Sequence, residues 1–127
     1  MDEFKGGFEE LLTWKEARNF RLLCSDFIKL FPPDEKYKLA DQLLRSARGI
    51  ETQIAEGYGR YHYQETIQYC RQARGSLMEA LNHLIIANDC SYISNTQLSD
   101  ARIKYDTVLK LINGYISYLK NRKNEPK

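Results

Sequence analysis

Between Ile54 and Glu65 the chain reads IAEGYGRYHYQE, with two glycines, three tyrosines, an arginine and a histidine in close succession. Gly57 and Gly59 begin as a dinucleotide-binding fingerprint begins, but the third glycine is missing. The preceding residues also carry helical rather than strand periodicity, so a phosphate-cradling loop is set aside. A glycine can end a helix in the left-handed conformation without a Cβ clash, and Gly57 or Gly59 is the expected residue for that role. Around it, Tyr58, Arg60, Tyr61, His62 and Tyr63 interleave rings with positive charge. That pattern suits stacking on bases and contact with phosphate. It equally suits an aromatic corner packed against a neighbouring subunit, and both readings stand.

Other chemistries find less support. A di-iron bundle needs paired Glu-x-x-His motifs facing inward. The nearest stretch, Glu79-Ala80-Leu81-Asn82-His83, has the wrong spacing and is read as lying on a polar face, so no metal or other cofactor is expected. Neither histidine has a serine or cysteine partner with a recognisable nucleophile signature, and the chain is read as non-enzymatic. Arg74 borders an apolar stripe, as Glu51 does on the segment before it. A cation in that position needs a partner, which points to a partly buried pair of Arg74 with Glu51 or Glu56, and Gly75 beside it to a close helix approach. Arg45 and Arg48 have Asp41 and Glu51 within a helical turn and read as a solvated face.

Four segments position these residues. Phe20, Leu23, Cys24, Phe27, Ile28 and Phe31 mark one helical face, ended by Pro32 and Pro33. Asp34 stands as an N-cap for a second helix with its stripe at Ala40, Leu43, Leu44, Ala47, Ile50 and Ile54. A third stripe runs Ile67, Cys70, Ala73, Leu77, Leu81, Leu84. After the polar turn NDCSYISNTQ, with Ser94 or Asn95 as N-cap, the fourth runs Leu98, Ala101, Tyr105, Val108, Leu109, Ile112, Ile116, Leu119. No segment alternates with period two. Four helices of about 20 residues, near 30 Å each, joined by short loops make an all-α, antiparallel up-down four-helix bundle. The fold is expected over residues 1–119, with a basic flexible tail at 120–127.

Off-stripe apolar residues complicate a monomer. Leu111, Tyr115 and Tyr118 form a second row on the fourth segment, about a quarter to a third of a turn from the first. Tyr69 and Ile86 on the third segment also point away from the core row. They widen the core face or form a homo-oligomer contact, because apolar patches left to water commonly mark interaction surfaces.

Composition bounds the rest. The chain has 127 residues, 43% hydrophobic and 28% charged, which suits one globular domain rather than a disordered chain. Its N-terminus, MDEFKGGFEE, is acidic and does not read as a signal peptide. No apolar run approaches the roughly 20 residues of a membrane helix. Cys24, Cys70 and Cys90 are odd in number and widely spaced, so they read as free thiols in a reducing compartment, expected to be the cytoplasm. The tail holds Lys120, Arg122, Lys123 and Lys127 against Glu125, leaving the preceding residues at −1 of the chain's net +2. The body is thus nearly balanced, and any basic patch on it must come from arrangement.

The strings LLTWKEARNF, FPPDEKYKLADQLLRSARGIETQIAEGYGR and ARGSLMEALNHLIIA together resemble the four-helix-bundle family encoded in 23S rRNA intervening sequences, ribosomal proteins by label only. The resemblance runs from about Leu11 to Leu119. Its most specific pieces are Trp14-Lys15 with Ala17-Arg18, Phe31-Pro32, Gln42-Leu43 with Arg45 and Ala47, Ile54-Ala55-Glu56-Gly57, and Ala73-Arg74-Gly75-Ser76-Leu77. One departure is Gln53, where the family usually has asparagine. The family in turn is distantly similar to the accessory variability determinant of diversity-generating retroelements, a pentameric bundle barrel that binds nucleic acid and a reverse transcriptase. The resemblance implies a ring of five, and RNA or a nucleic-acid-processing protein as partner; the corner and the basic tail offer Arg60, Tyr61, His62, Tyr63, Lys120, Arg122 and Lys123 as candidate contacts. The competing expectation is a protein-binding adaptor with no nucleic-acid role.

Overall fold

The computed structural model describes residues 7–123, and within them the chain forms four helices, α1 (Leu12–Ile28), α2 (Leu39–Tyr58), α3 (Tyr63–Asp89) and α4 (Asn95–Lys123). Each follows from its apolar stripe. Phe20, Cys24, Phe27 and Phe31 are buried, as are Ala40, Leu43, Ala47, Ile50 and Ile54 on α2. Ile67, Cys70, Ala73, Leu77 and Leu84 on α3, and Ala101, Val108, Ile112 and Ile116 on α4, close the same core. Leu23, Ile28, Leu81, Leu98 and Leu109 flank it half-buried. No described residue lies in a strand.

Sequence neighbours pack side by side, and α1 packs on α4 to complete a square. Among the described residues the diagonal pairs do not come together. Cross-helix contacts show the helices running antiparallel. On α3, Thr66 Oγ1 donates to the Gly57 carbonyl at 2.9 Å and Ser76 Oγ donates to Gln53 Oε1 at 3.2 Å, so α2 retreats as α3 advances. The same reversal relates α3 to α4, where Arg74 meets Asn113 and Met78 meets Tyr105. Gln53, the departure noted above, thus supplies a hydrogen bond between α2 and α3.

The helix ends obey different devices from those expected. Asp34 does not cap α2. Pro33–Glu35 forms a 3-10 turn, and the Glu35 carboxylate accepts from Leu39 N–H at 3.4 Å. Ser94 does cap α4: its Oγ accepts from Gln97 N–H at 3.1 Å while Gln97 Oε1 accepts from Ser94 N–H at 2.7 Å, a reciprocal capping box. The α3–α4 corner contains the left-handed residue, Ser91 at φ 63°. Tyr92 N–H donates to the Ala87 carbonyl and Ser91 N–H to that of Asn88, the paired bonds of a Schellman ending. Tyr92 then packs on Phe31 and its hydroxyl donates to Glu35 at 2.8 Å, tying the two corners at this end of the bundle.

α4 continues past Leu119 through Lys120 to Lys123, so these residues extend the last helix. Glu125 and Lys127 of the basic tail lie outside the described residues.

Candidate functional site

The opposite end of the bundle gathers the start of α1, the α2–α3 corner and the end of α4. Neither glycine of that corner is left-handed: Gly57 lies within α2, and Gly59 sits at φ −81°. Gly57 is instead required by space. A Cβ there would lie 2.7 Å from the Tyr69 Cβ, so its missing side chain lets α3 cross close to the last turn of α2. Thr66, buried beside it, donates its hydroxyl to the Gly57 carbonyl, which also accepts from Arg60 N–H at 3.1 Å.

This close crossing projects the corner side chains outward. Tyr61 is 94% exposed, and Tyr58, Arg60 and His62 are exposed too. The Arg60 guanidinium lies over the Tyr69 ring, 4.8 Å from its centroid, and donates to the Tyr69 hydroxyl. Tyr69, expected at a subunit contact, therefore has an intrachain role in holding Arg60.

Arg60 and Tyr63 share one cleft of about 430 Å³ with Leu11, Tyr58, Thr66, Tyr115, Tyr118 and Leu119. Residues singled out for nucleic-acid contact and residues singled out for subunit contact thus line one surface. The Tyr115 and Tyr118 rings stack at 6.4 Å. Tyr118 is 56% exposed, whereas Tyr115 is half-buried against the core, and burial pushes its phenol pKa upward. Tyr115 is therefore a core residue as much as a surface one, and charging it would damage the fold as well as any interface. Lys120 and Arg122, both exposed, follow Leu119 from the rim of the cleft. Leu111 is half-buried and Ile86 is 38% exposed, and neither lines this cleft.

Two expectations about charge are corrected. Arg74 is half-buried, but its Nη1 donates to Asn113 Oδ1 at 2.7 Å, and among the described residues no carboxylate pairs with it. The Glu51 carboxylate belongs instead to Arg21 of α1, while Glu56 is exposed. The residues beside an α2 carboxylate include those of two neighbouring helices, and spacing along one helix does not choose between them. Gly75 is exposed with open space where a Cβ would stand, and the close approach falls one residue on, where Ser76 meets Gly49. His83, read as lying on a polar face, is only 8% exposed, with neither ring nitrogen hydrogen-bonded and Glu79 at 3.7 Å. No group of three or more metal-ligating side chains converges among the described residues.

A second cleft, of about 590 Å³, lies where Trp14 and Arg18 of α1 meet the Arg21–Glu51 pair, and none of the candidate contacts read from the sequence falls in it. Its signal was present in the spacing of Trp14, Arg18 and Arg21, which share one helix face.

The profile of the 23S rRNA-intervening sequence protein family matches residues 9–114. No curated protein matches the chain. The chain is similar to a crystal structure of a protein with unknown function from the S23 ribosomal protein family of Bacteroides thetaiotaomicron, with a TM-score of 0.76 at 19% identity. The alignment covers 83% of this chain and 98% of that one, and at this identity the likeness establishes the fold.

Proposed function

The chain belongs to the 23S rRNA-intervening sequence protein family, and from that premise we propose that it is a non-enzymatic scaffold associating with RNA or a ribonucleoprotein. One observation carries the reading: Tyr58, Arg60, Tyr63 and Tyr118 converge in a cleft whose rim leads directly into Lys120 and Arg122. Exposed rings offer stacking faces that tolerate any base, and the cations beside them meet the phosphates. Tyr61, standing clear of the corner, supplies a further ring. The working form is a homo-oligomer, a ring of five, which repeats each cleft about an axis and raises avidity without new contacts. The exposed apolar side chain of Ile86, away from the cleft, supports such a contact. Buried Cys24 and Cys70 and exposed Cys90 remain free thiols, which suits the cytoplasm, and no described helix is long and apolar enough to cross a membrane.

The observation favouring the adaptor reading is an apolar groove of about 370 Å³ at the other end, lined by Phe31, Pro32, Pro33 and Tyr37 among others. Binding of a fluorescent single-stranded RNA to wild type, Tyr61→Ala and Tyr118→Ala separates the two. Each lost stacking contact is expected to cost roughly 1–3 kcal/mol. RNA binding indifferent to both variants would remove the tyrosine cleft from the function, and no RNA binding by the wild type would transfer the function to the apolar groove.

A further inference from the structure

The cleft beside the start of α1 holds a built cation platform that the tyrosine cleft does not use. Trp14, Arg18 and Arg21 recur at i, i+4 and i+7 and therefore line one face of α1. The indole is fixed edge-on by Phe8, with ring centroids 5.2 Å apart. Above it lies the Arg18 guanidinium, 5.9 Å from the ring centroid. Arg21 is committed to Glu51 across the α1–α2 junction, which neutralises that carboxylate and locks the floor of the cleft. Arg18 is different. It is exposed, and among the described residues no carboxylate pairs with it, so its guanidinium remains open to solvent above the indole. Lys15 stands one residue from the indole, tied only to an exposed Glu10 at 3.2 Å, a contact that solvent weakens.

We propose that this cleft binds a nucleoside phosphate unit, the base stacking on the Arg18 guanidinium and the phosphate meeting Lys15. A planar guanidinium resting on an aromatic ring is a stacking surface for a base, and an ammonium on a flexible stem is a phosphate donor. The mixed charge of the cleft selects against an acidic peptide, which would find the same cations but also the carboxylate of Glu9 on the rim. A base edge carries N–H donors for which that carboxylate is an acceptor. The unit is either a free mononucleotide or one residue of a single strand. In the second case the proposal joins the RNA reading above, since Leu11, one turn before Trp14, lines the tyrosine cleft.

Trp14 is the sole tryptophan among nine tyrosines, so emission excited at wavelengths beyond tyrosine absorption reports this site. The experiment titrates the protein with AMP and, separately, with a short oligoadenylate, correcting for nucleotide absorbance, in about 50 mM salt. A saturable change with one or both is expected. Saturation by AMP identifies a free nucleotide, and saturation by the oligomer alone identifies a strand. Arg18→Gln is expected to weaken the midpoint about tenfold, with Arg18→Lys recovering little of it, because charge returns without the planar face. Arg18 is exposed, so the melting curves of both variants should match wild type. Tyr61→Ala should leave the tryptophan titration unchanged, which separates this site from the tyrosine cleft: RNA anisotropy tests that cleft and tryptophan fluorescence this one. The proposal is overturned by no saturable change with either nucleotide, by full recovery in Arg18→Lys, or by polyglutamate producing the same response.

Discussion

Gly57 and Gly75 show why a glycine read from sequence gives its position more readily than its reason. Both fall where the stripes bend or border, and both invited a conformational or packing explanation. Only the crossing of α3 decides: a Cβ on Gly57 would meet the Tyr69 Cβ, an atom fixed to backbone that cannot swing aside, while a Cβ on Gly75 meets nothing. Gly57→Ala should therefore destabilise by about 1–3 kcal/mol. Gly75→Ala should stabilise by roughly 0.5–1 kcal/mol, the ordinary gain of alanine over glycine within a helix. Urea denaturation of the two variants checks the opposite signs, and equal losses would mean that a neighbouring chain fills the space at Gly75. The thiols give a second expectation. Burial pushes Cys24 from its ordinary 9.0 to about 12 and Cys70 to about 11. The folded chain holds these protons while the unfolded chain releases them above about pH 9, so unfolding becomes easier as pH rises. Stability should hold below pH 9 and decline from there towards 11–12, measured by thermal melts across that range. A flat profile would show that neither thiol is kept from solvent.

At the scale of elements, the number, order and inner faces of the helices were legible because every stripe keeps a 3.6-residue period over several turns. The caps were legible only where the partner is local. Ser94 and Gln97 lie three residues apart and form the box their spacing suggests. Asp34 lost its role to Glu35, because the double proline holds Pro33–Glu35 in a 3-10 turn and delays α2 to Leu39. Nothing local marked Ser91 as the left-handed residue, a position where glycine is the usual occupant. The Arg74 partner was hidden for the same reason: Asn113 lies a whole helix away, and only the packing of α3 on α4 selects it. Ser91→Gly relieves the left-handed strain while keeping both Schellman bonds, and should raise stability by about 1 kcal/mol. A melting temperature that does not rise would mean that the Ser91 side chain itself supports the corner.

For the whole molecule, sequence patterning indicated the bundle but not that its two ends differ. One end is tied together by Phe31, Tyr92 and Glu35 beside an apolar groove, while the other opens a tyrosine-lined cleft. The candidate contact residues were recognised one by one. Their meeting in this cleft was not, because Tyr63 and Tyr118 lie at the far ends of two consecutive long helices and become neighbours only when α4 folds back along α3. Assembly belongs to this scale too. Ile86 is a cleaner probe of it than Tyr115, being exposed and away from the tyrosine cleft rather than set into the core, so Ile86→Glu should lower the mass seen in sedimentation while leaving helix content intact. An unchanged mass would place the subunit contact elsewhere. The most direct test of the central claim is a salt titration of single-stranded RNA binding by fluorescence anisotropy, comparing the full chain with one ending at Leu119. Binding is expected at about 50 mM salt and should fall steeply as salt rises, because phosphate contacts release counterions. Removing Lys120–Lys127 should weaken it for all sequences alike and flatten that slope. RNA binding absent at low salt, or a slope unaltered by the truncation, would contradict it.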